Sequence, residues 1–141
     1  EVLSVTVSSG NTDILHDIDG FWFGDEAAWY DFETLNGATV NGTSNDESLI
    51  GTAGDDQMFG FEGDDVFVGS GGNDTIFGGT GTSEYNQVNY DGDAADYSFT
   101  RNLDDTITVT AANGDTDTLH DIDGFYFYGE DQWYDADVLA A

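Results

Sequence analysis

Four acids stand nine residues apart: Glu47, Asp56, Asp65 and Asp74. Carboxylates are hard oxygen donors, and hard donors select hard cations. The chemistry open to this series is therefore cation binding, with calcium the first candidate. The chain lacks the motifs of covalent or acid–base catalysis, H-E-x-x-H and G-x-S-x-G, and has no glycine-rich phosphate loop. Its two histidines, His16 and His120, occupy equivalent places in two copies of one motif. They read as hydrogen-bonding turn residues rather than zinc ligands or general bases. No catalysis is expected of this chain.

Charge makes a cation more than optional. The 141 residues carry 30 Asp+Glu against 1 Lys+Arg, for a net charge of −29. A lone Arg101 excludes phosphate-tracking nucleic-acid binding, which needs several basic contacts. The absence of cysteine excludes disulfides and thiolate-bound zinc. No apolar stretch approaches the ~18 residues of a membrane span. Such acidity alone would suggest disorder. Yet 38% of residues are hydrophobic and 14% aromatic, enough to build a core. Counter-ions that belong to the fold reconcile a buriable core with strong self-repulsion. No initiator Met or signal peptide stands at Glu1, and the sequence reads as a fragment or a processed chain.

The elements that position the acids follow from the period. GTSNDESLI (42–50), GTAGDDQMF (51–59), GFEGDDVFV (60–68) and GSGGNDTIF (69–77) share one frame, and GGTGTS at 78–83 starts a fifth unit. Each opens on Gly, has Gly or Asn fourth, an acid sixth and an apolar residue eighth: Leu49, Met58, Phe67 and Ile76. Gly and Asn tolerate positive φ, so the first six residues can form an open turn. The last three form a short strand, with the eighth side chain facing inward to a core. Two units make one coil, so turns on one edge recur every second unit. Glu47 should then face Asp65, Asp56 should face Asp74, and Asp65 should face Ser83, which brings no charge. Coils stacked by strand hydrogen bonding lie roughly 4.8 Å apart, so facing acids repel unless a cation lies between them.

These nonapeptides resemble the RTX calcium-binding repeats, whose pattern is G-G-x-G-x-D-x-U-x. The resemblance implies a parallel β-roll that binds calcium through carboxylates and backbone carbonyls. For the central site, Asp56 and Asp74, it implies carbonyl donors at Thr52 and Gly54 in the earlier turn. Gly69, Gly71 and Asn73 serve in the later one. For the Glu47–Asp65 site the matching positions are Thr43 and Asn45, then Gly60, Glu62 and Asp64. The expectation is two calcium ions, with a third at the turn ending in Ser83 left open. The segment Gln87 to Phe127 resembles the β-rich region that often follows such repeats in secreted bacterial proteins.

A longer period encloses the short one. TDILHDIDGFWF (12–23) recurs as TDTLHDIDGFYF (116–127), and 120 − 16 gives an offset of 104 residues. Residues 1–37 therefore read as the end of one module, and 38–141 as a complete second one. Within the second, 42–83 is the roll and 84–141 a β-rich capping segment. Tyr97 to Arg101 and Thr106 to Thr110 alternate around a polar turn as a hairpin. The acids of HDIDG, Asp17, Asp19, Asp121 and Asp123, read as turn and cap residues rather than ligands. Strand alternation puts Phe125 and Phe127 on one face and Tyr126 and Tyr128 on the other.

The expected architecture is all-β: a short calcium-bound parallel β-roll, flanked and capped by antiparallel β-rich segments. The expected function is a structural calcium-binding module of a secreted bacterial repeat protein, of adhesin, matrix, surface-layer or filament type. It would fold on meeting extracellular calcium, and the resemblance implies type I secretion. Its partners would be neighbouring copies or modules, head to tail, with no nucleic acid. Two other readings stand beside it: the C-terminal calcium module of an extracellular enzyme, and a carbohydrate-binding adhesin module using the outward aromatic face.

Overall fold

A computed structural model describes residues 37–81 and 84–141 in full, together with the backbone of four strands within the first 36. Those four are β1 (Val2–Thr6), β2 (Thr12–His16), β3 (Gly20–Phe23) and β4 (Ala28–Asp31). The three-residue strand β5 (Thr39–Asn41) precedes the nonapeptides, and each of the four nonapeptides ends in another: β6 (Ser48–Ile50), β7 (Gln57–Phe59), β8 (Val66–Val68) and β9 (Thr75–Phe77). Then follow β10 (Gln87–Tyr90), β11 (Tyr97–Arg101), β12 (Ile107–Ala111), β13 (Thr116–His120), β14 (Gly124–Phe127) and β15 (Gln132–Asp135). A single turn of helix, α1 (Ala136–Leu139), ends the chain. Among the described residues no helix is long and apolar enough to cross a membrane.

Successive short strands alternate between two sheets. One runs β15-β14-β10-β8-β6, the other β11-β12-β13-β9-β7-β5. Met58 pairs in parallel with Ile76, and Leu49 with Phe67, each 18 residues on. That is the β-roll, an all-β architecture wound from two-unit coils. The winding also outlasts the nonapeptides: β10 and β14 continue the first sheet in parallel, and β13 continues the second. Residues 84–141 are thus part roll and part cap. Antiparallel β15 closes the first sheet, and the antiparallel pair β12 and β11 closes the second.

The inward position of every coil is apolar. Met58, Phe67, Ile76, Val88 and Phe125 are fully buried, with Leu119 and Leu49 nearly so. Phe127 and Val109 extend this core under the hairpin strands. Burying such side chains is worth roughly 1.5–3 kcal/mol each, which makes this row the main apolar drive for winding. Gly63 (φ 109°) and Gly72 (φ 95°) turn the chain where a side chain would be strained. Arg101, the lone basic side chain, bonds Asp137 at 2.6 Å and ties β11 to α1.

The two copies of the long repeat share one strand register. Leu3 pairs with Leu15 as Ile107 pairs with Leu119, and Phe21 with Tyr30 as Phe125 with Tyr134.

Candidate metal centre

The sixth residues of successive turns form two ladders, one on each edge of the roll. Along one edge the amide of Ala38 donates to Asp56 Oδ1 (2.5 Å) and that of Asp56 to Asp74 Oδ1 (2.9 Å). The amide of Asp74 continues to Asp117 Oδ1 (2.9 Å). Along the other edge, Glu47 donates to Asp65 Oδ1 (2.9 Å), Asp65 to Asn86 Oδ1 (3.1 Å) and Asn86 to Asp123 Oδ2 (2.9 Å). Each carboxylate reaches back to the preceding coil. The fifth residues clasp in the opposite direction. Asp64 donates to Asp46 Oδ1 (3.0 Å), Asn73 to Asp55 Oδ1 (2.7 Å), Tyr85 to Asp64 Oδ1 (2.7 Å) and Thr116 to Asn73 Oδ1 (2.9 Å).

The ladder carboxylates are out of water. Asp56, Asp65 and Asp74 are 1%, 0% and 3% exposed. Among the described residues, Asp65 Oδ2 is buried without a hydrogen-bond partner. Burying an unpartnered carboxylate oxygen is costly unless a cation or a proton answers it. Desolvation pushes the Asp65 carboxyl above its ordinary value, aided by the charges of Glu47, Asp46 and Glu84 and opposed by the Glu47 amide. Asp74 is pushed up to about 7, again chiefly by burial, with Asp117, Asp56 and Asp55 adding to it. Burial likewise raises Asp117, whose Oδ2 accepts from the Tyr90 hydroxyl at 2.8 Å.

Three opening glycines, Gly42, Gly51 and Gly60, pack tightly against oxygens. A Cβ at Gly51 would run into Asp56 Oδ2 and sit 2.7 Å from the Gly69 carbonyl oxygen. One at Gly42 would lie 2.6 Å from Glu47 Oε2 and 2.8 Å from the Gly60 carbonyl oxygen. One at Gly60 would strike both Asp65 Oδ2 and the Gly78 carbonyl oxygen. At each of the three, a sixth-position carboxylate oxygen and a carbonyl oxygen of the next coil come close to the same glycine. Among the described residues no three His, Cys, Asp or Glu side chains gather to hold a metal. A cation here must draw on backbone carbonyls, which suits calcium, with its 6–8 oxygen ligands, and disfavours zinc.

The profile of the RTX calcium-binding nonapeptide repeat (four copies) matches residues 41–76 and 59–82. Residues 41–82 are RTX calcium-binding nonapeptide repeats. No curated protein matches the chain. Among solved structures it is similar to the extracellular lipase LipA from Serratia marcescens, at 24% identity and a TM-score of 0.55. That similarity covers 63% of this chain and 14% of the lipase chain, so it speaks to the fold alone.

Within the RTX roll, the sequence-derived residues fall as follows. Thr52 and Gly54 share the central turn with Asp56. The Thr52 amide and hydroxyl both donate to that carboxylate, at 2.5 and 2.9 Å. The Thr52 carbonyl accepts from the Gly71 amide at 3.4 Å, so the two turns face one another as expected. Gly69 lies buried beside them, and Asn73 is exposed. In the outer pair, Thr43 donates through both amide and hydroxyl to Glu47, and its carbonyl accepts from the Glu62 amide at 3.4 Å. Asn45, Glu62 and Asp64 are exposed there, and Gly60 is buried.

The expected pairing of Asp65 with Ser83 lies outside the described residues. The ladder neighbour the structure gives Asp65 is Asn86, 21 residues on. The step from Asp65 to Asn86 is three residues longer than the 18 of the regular coils, so a count of nine from Asp74 stops short of Asn86. Two further ladder residues went unread. Asp117 and Asp123 hold sixth positions across steps of 43 and 37 residues. The local signal was present: Asp117-Thr118-Leu119 repeats Asp74-Thr75-Ile76, and Asn86-Gln87-Val88 repeats Asp56-Gln57-Met58. Asp123 does cap an amide, but one on the preceding coil rather than in its own turn.

His120 is not a turn histidine. It ends β13, with its ring stacked on Phe77 at 4.3 Å between centroids. Phe77 stacks in turn on Phe59 at 4.9 Å. Its repeat, His16, ends β2, and the side chain lies outside the described residues. Phe125 and Phe127 face the core as alternation requires, while Tyr128 and Trp133 are exposed.

Proposed function

We propose that this chain is a calcium-folded structural module of a secreted bacterial repeat protein. The observation that carries the reading is the buried Asp65 carboxylate, whose Oδ2 has no partner among the described residues. Asp56 and Asp74 hold equivalent buried positions. Two ions are proposed. One lies between Asp56 and Asp74, with carbonyls from Thr52, Gly54, Gly69, Gly71 and Asn73. The other lies between Glu47 and Asp65, with carbonyls from Thr43, Asn45, Gly60, Glu62 and Asp64. Calcium would supply positive charge to carboxylates that the fold takes out of water.

The mechanism is linkage. A ligand that binds only the folded state stabilises it by RT ln(1 + [L]/Kd). Extracellular calcium modules have Kd about 10⁻⁴–10⁻³ M, so calcium-poor cytosol leaves such a chain open and the outside folds it. RTX repeats occur in secreted bacterial proteins, which supports an extracellular setting and export of an unfolded chain. The 104-residue recurrence supports a repetitive parent of adhesin, matrix, surface-layer or filament type, with neighbouring modules as partners. The fold likeness to a secreted lipase favours a second reading, the calcium module of an extracellular enzyme.

A calcium titration followed by far-UV circular dichroism, with magnesium as control, tests the proposal. Cooperative gain of β signal with calcium alone is expected. Full structure in chelator would overturn it.

A further inference from the structure

Thr12–Phe23 and Thr116–Phe127 differ at two of their positions, Ile14 against Thr118 and Trp22 against Tyr126. Their pairing differs far more. In the complete module β13 lies parallel to β9, and β14 lies parallel to β10. Among the described residues β2 pairs with β1 alone, and β3 with β4 alone. The repeat thus presents two strand edges whose counterparts are each covered by a strand of the roll. Unpaired strand edges are templates for another strand of matching pattern.

What covers such an edge is shown once in this chain. β13 seats on β9 with Leu119 opposite Ile76, and β14 on β10 with Phe125 opposite Val88. Every position that does the work of seating is repeated at offset 104. Leu119, Ile122, Phe125 and Phe127 fill the core, and Leu15, Ile18, Phe21 and Phe23 repeat them. Asp117 and Asp123 accept the ladder amides, and Asp13 and Asp19 repeat those. The two differences fall at Thr118 and Tyr126, which are neither core nor ladder residues.

We propose that Thr12–Phe23 is a docking edge for the end of a nonapeptide roll. Its partner is a roll whose last two parallel strands are uncovered, as β9 and β10 would be without β13 and β14. The segment is a roll cap, and joining a cap to a roll is how one module locks to its neighbour. The inference rests on the calcium-folded roll proposed above.

The test attaches a second copy of residues 38–104 ahead of Glu1 of the full chain, which restores the 104-residue period. Hydrogen exchange is read by mass spectrometry in calcium for the extended and original chains. Amides of Thr12–Phe23 should exchange at least ~10-fold more slowly in the extended chain, approaching those of Thr116–Phe127. Protection of the added nonapeptides without any change in Thr12–Phe23 would overturn the docking edge and leave the calcium reading intact. Calcium-independent exchange throughout residues 38–141 would instead sink the calcium reading, and the docking edge with it. A second variant guards against an extension that misfolds. Thr118→Ile with Tyr126→Trp gives the original chain's own cap the sequence of Thr12–Phe23. An unchanged calcium midpoint is expected, and loss of calcium-dependent folding would show that this sequence cannot seat on a roll.

Discussion

The backbone amide of Asp56 donates to the Oδ1 of Asp74 at 2.9 Å, one coil further on. The same bond recurs from Glu47 to Asp65 and from Asp74 to Asp117. Each rung therefore brings a neutral donor and an anionic acceptor to the same place. The hydrogen bond favours winding, while the row of charges opposes it. A cation removes the opposing part without disturbing the bond, so calcium should act on folding and not merely decorate the folded roll.

Asp65→Asn separates the two contributions. The amide keeps an oxygen for the Glu47 N–H and gives up the charge on the unpartnered Oδ2. In chelator the variant should be more structured than the parent, because a buried charge is costly. In calcium it should need more of the ion, with a midpoint about tenfold higher, equivalent to ~1.4 kcal/mol. Circular dichroism titrations of the two proteins provide the comparison. A midpoint equal to the parent's would show that Asp65 holds no ion.

Asp74 gives the chelated roll a pH dependence of unusual sign. Its carboxyl is raised from the ordinary 3.8 to about 7 by burial. A raised carboxyl binds its proton more tightly in the fold than in the open chain. Stability from that proton is complete at pH below about 4 and is lost as pH rises through about 7. In chelator, structure should therefore decline between pH 5 and pH 8. With calcium the decline should vanish, because the ion takes the proton's place. Binding should release protons near neutrality. A chelated roll that grows more stable from pH 5 to pH 8 would contradict the assignment.

Much of the roll was legible because its period is short and each position has one physical job. Met58, Phe67 and Ile76 are fully buried, as the eighth position of each unit requires. Asp56 stacks on Asp74, and Glu47 on Asp65, at an 18-residue spacing because nothing intervenes in those coils. Legibility failed where the chain leaves the roll and returns. Between Asp74 and Asp117 the hairpin of β11 and β12 intervenes, so spacing no longer points to the partner. Counting in nines assumes equal units, whereas the ladder needs only that an acceptor return to the right edge. Asn86 does that without a charge. His120 was misread for the opposite reason. Its HDIDG surroundings look like a turn, but Phe77 offers a ring for it to stack on, and that contact exists only after the sheets form.

Gly51→Ala tests the close packing of oxygens at Gly51 rather than the carboxylate itself. The new methyl would meet Asp56 Oδ2 and approach the Gly69 carbonyl oxygen at 2.7 Å. Overpacking of this kind costs roughly 1–3 kcal/mol. Here the methyl also pushes against two of the oxygens proposed to hold the central ion. Gly71→Ala is the control, since its methyl would meet no atom nearer than 3.7 Å. Thermal unfolding in calcium should show a large loss for the first and a small one for the second. Isothermal titration should show one fewer ion for Gly51→Ala alone. Equal ion counts would place the calcium elsewhere.

Asn86→Asp asks whether the interrupted edge can be made into a charged one. Asn86 is 3% exposed, accepts from the Asp65 amide at 3.1 Å and donates to Asp123 Oδ2 at 2.9 Å. An aspartate keeps both bonds and places a new charge between Asp65 and Asp123. Unit charges about 4 Å apart repel by roughly 4 kcal/mol at the effective dielectric constant of a protein surface. The variant should therefore lose stability in chelator. In calcium, an ion bound beside Asp65 would also meet the added carboxylate, which accepts from the Asp65 amide, and should recover most of that loss. The gap between Tm in calcium and Tm in chelator should widen beyond the parent's. If Tm falls equally in both, no cation binds between Asp65 and residue 86, and Asn86 serves only as a neutral rung.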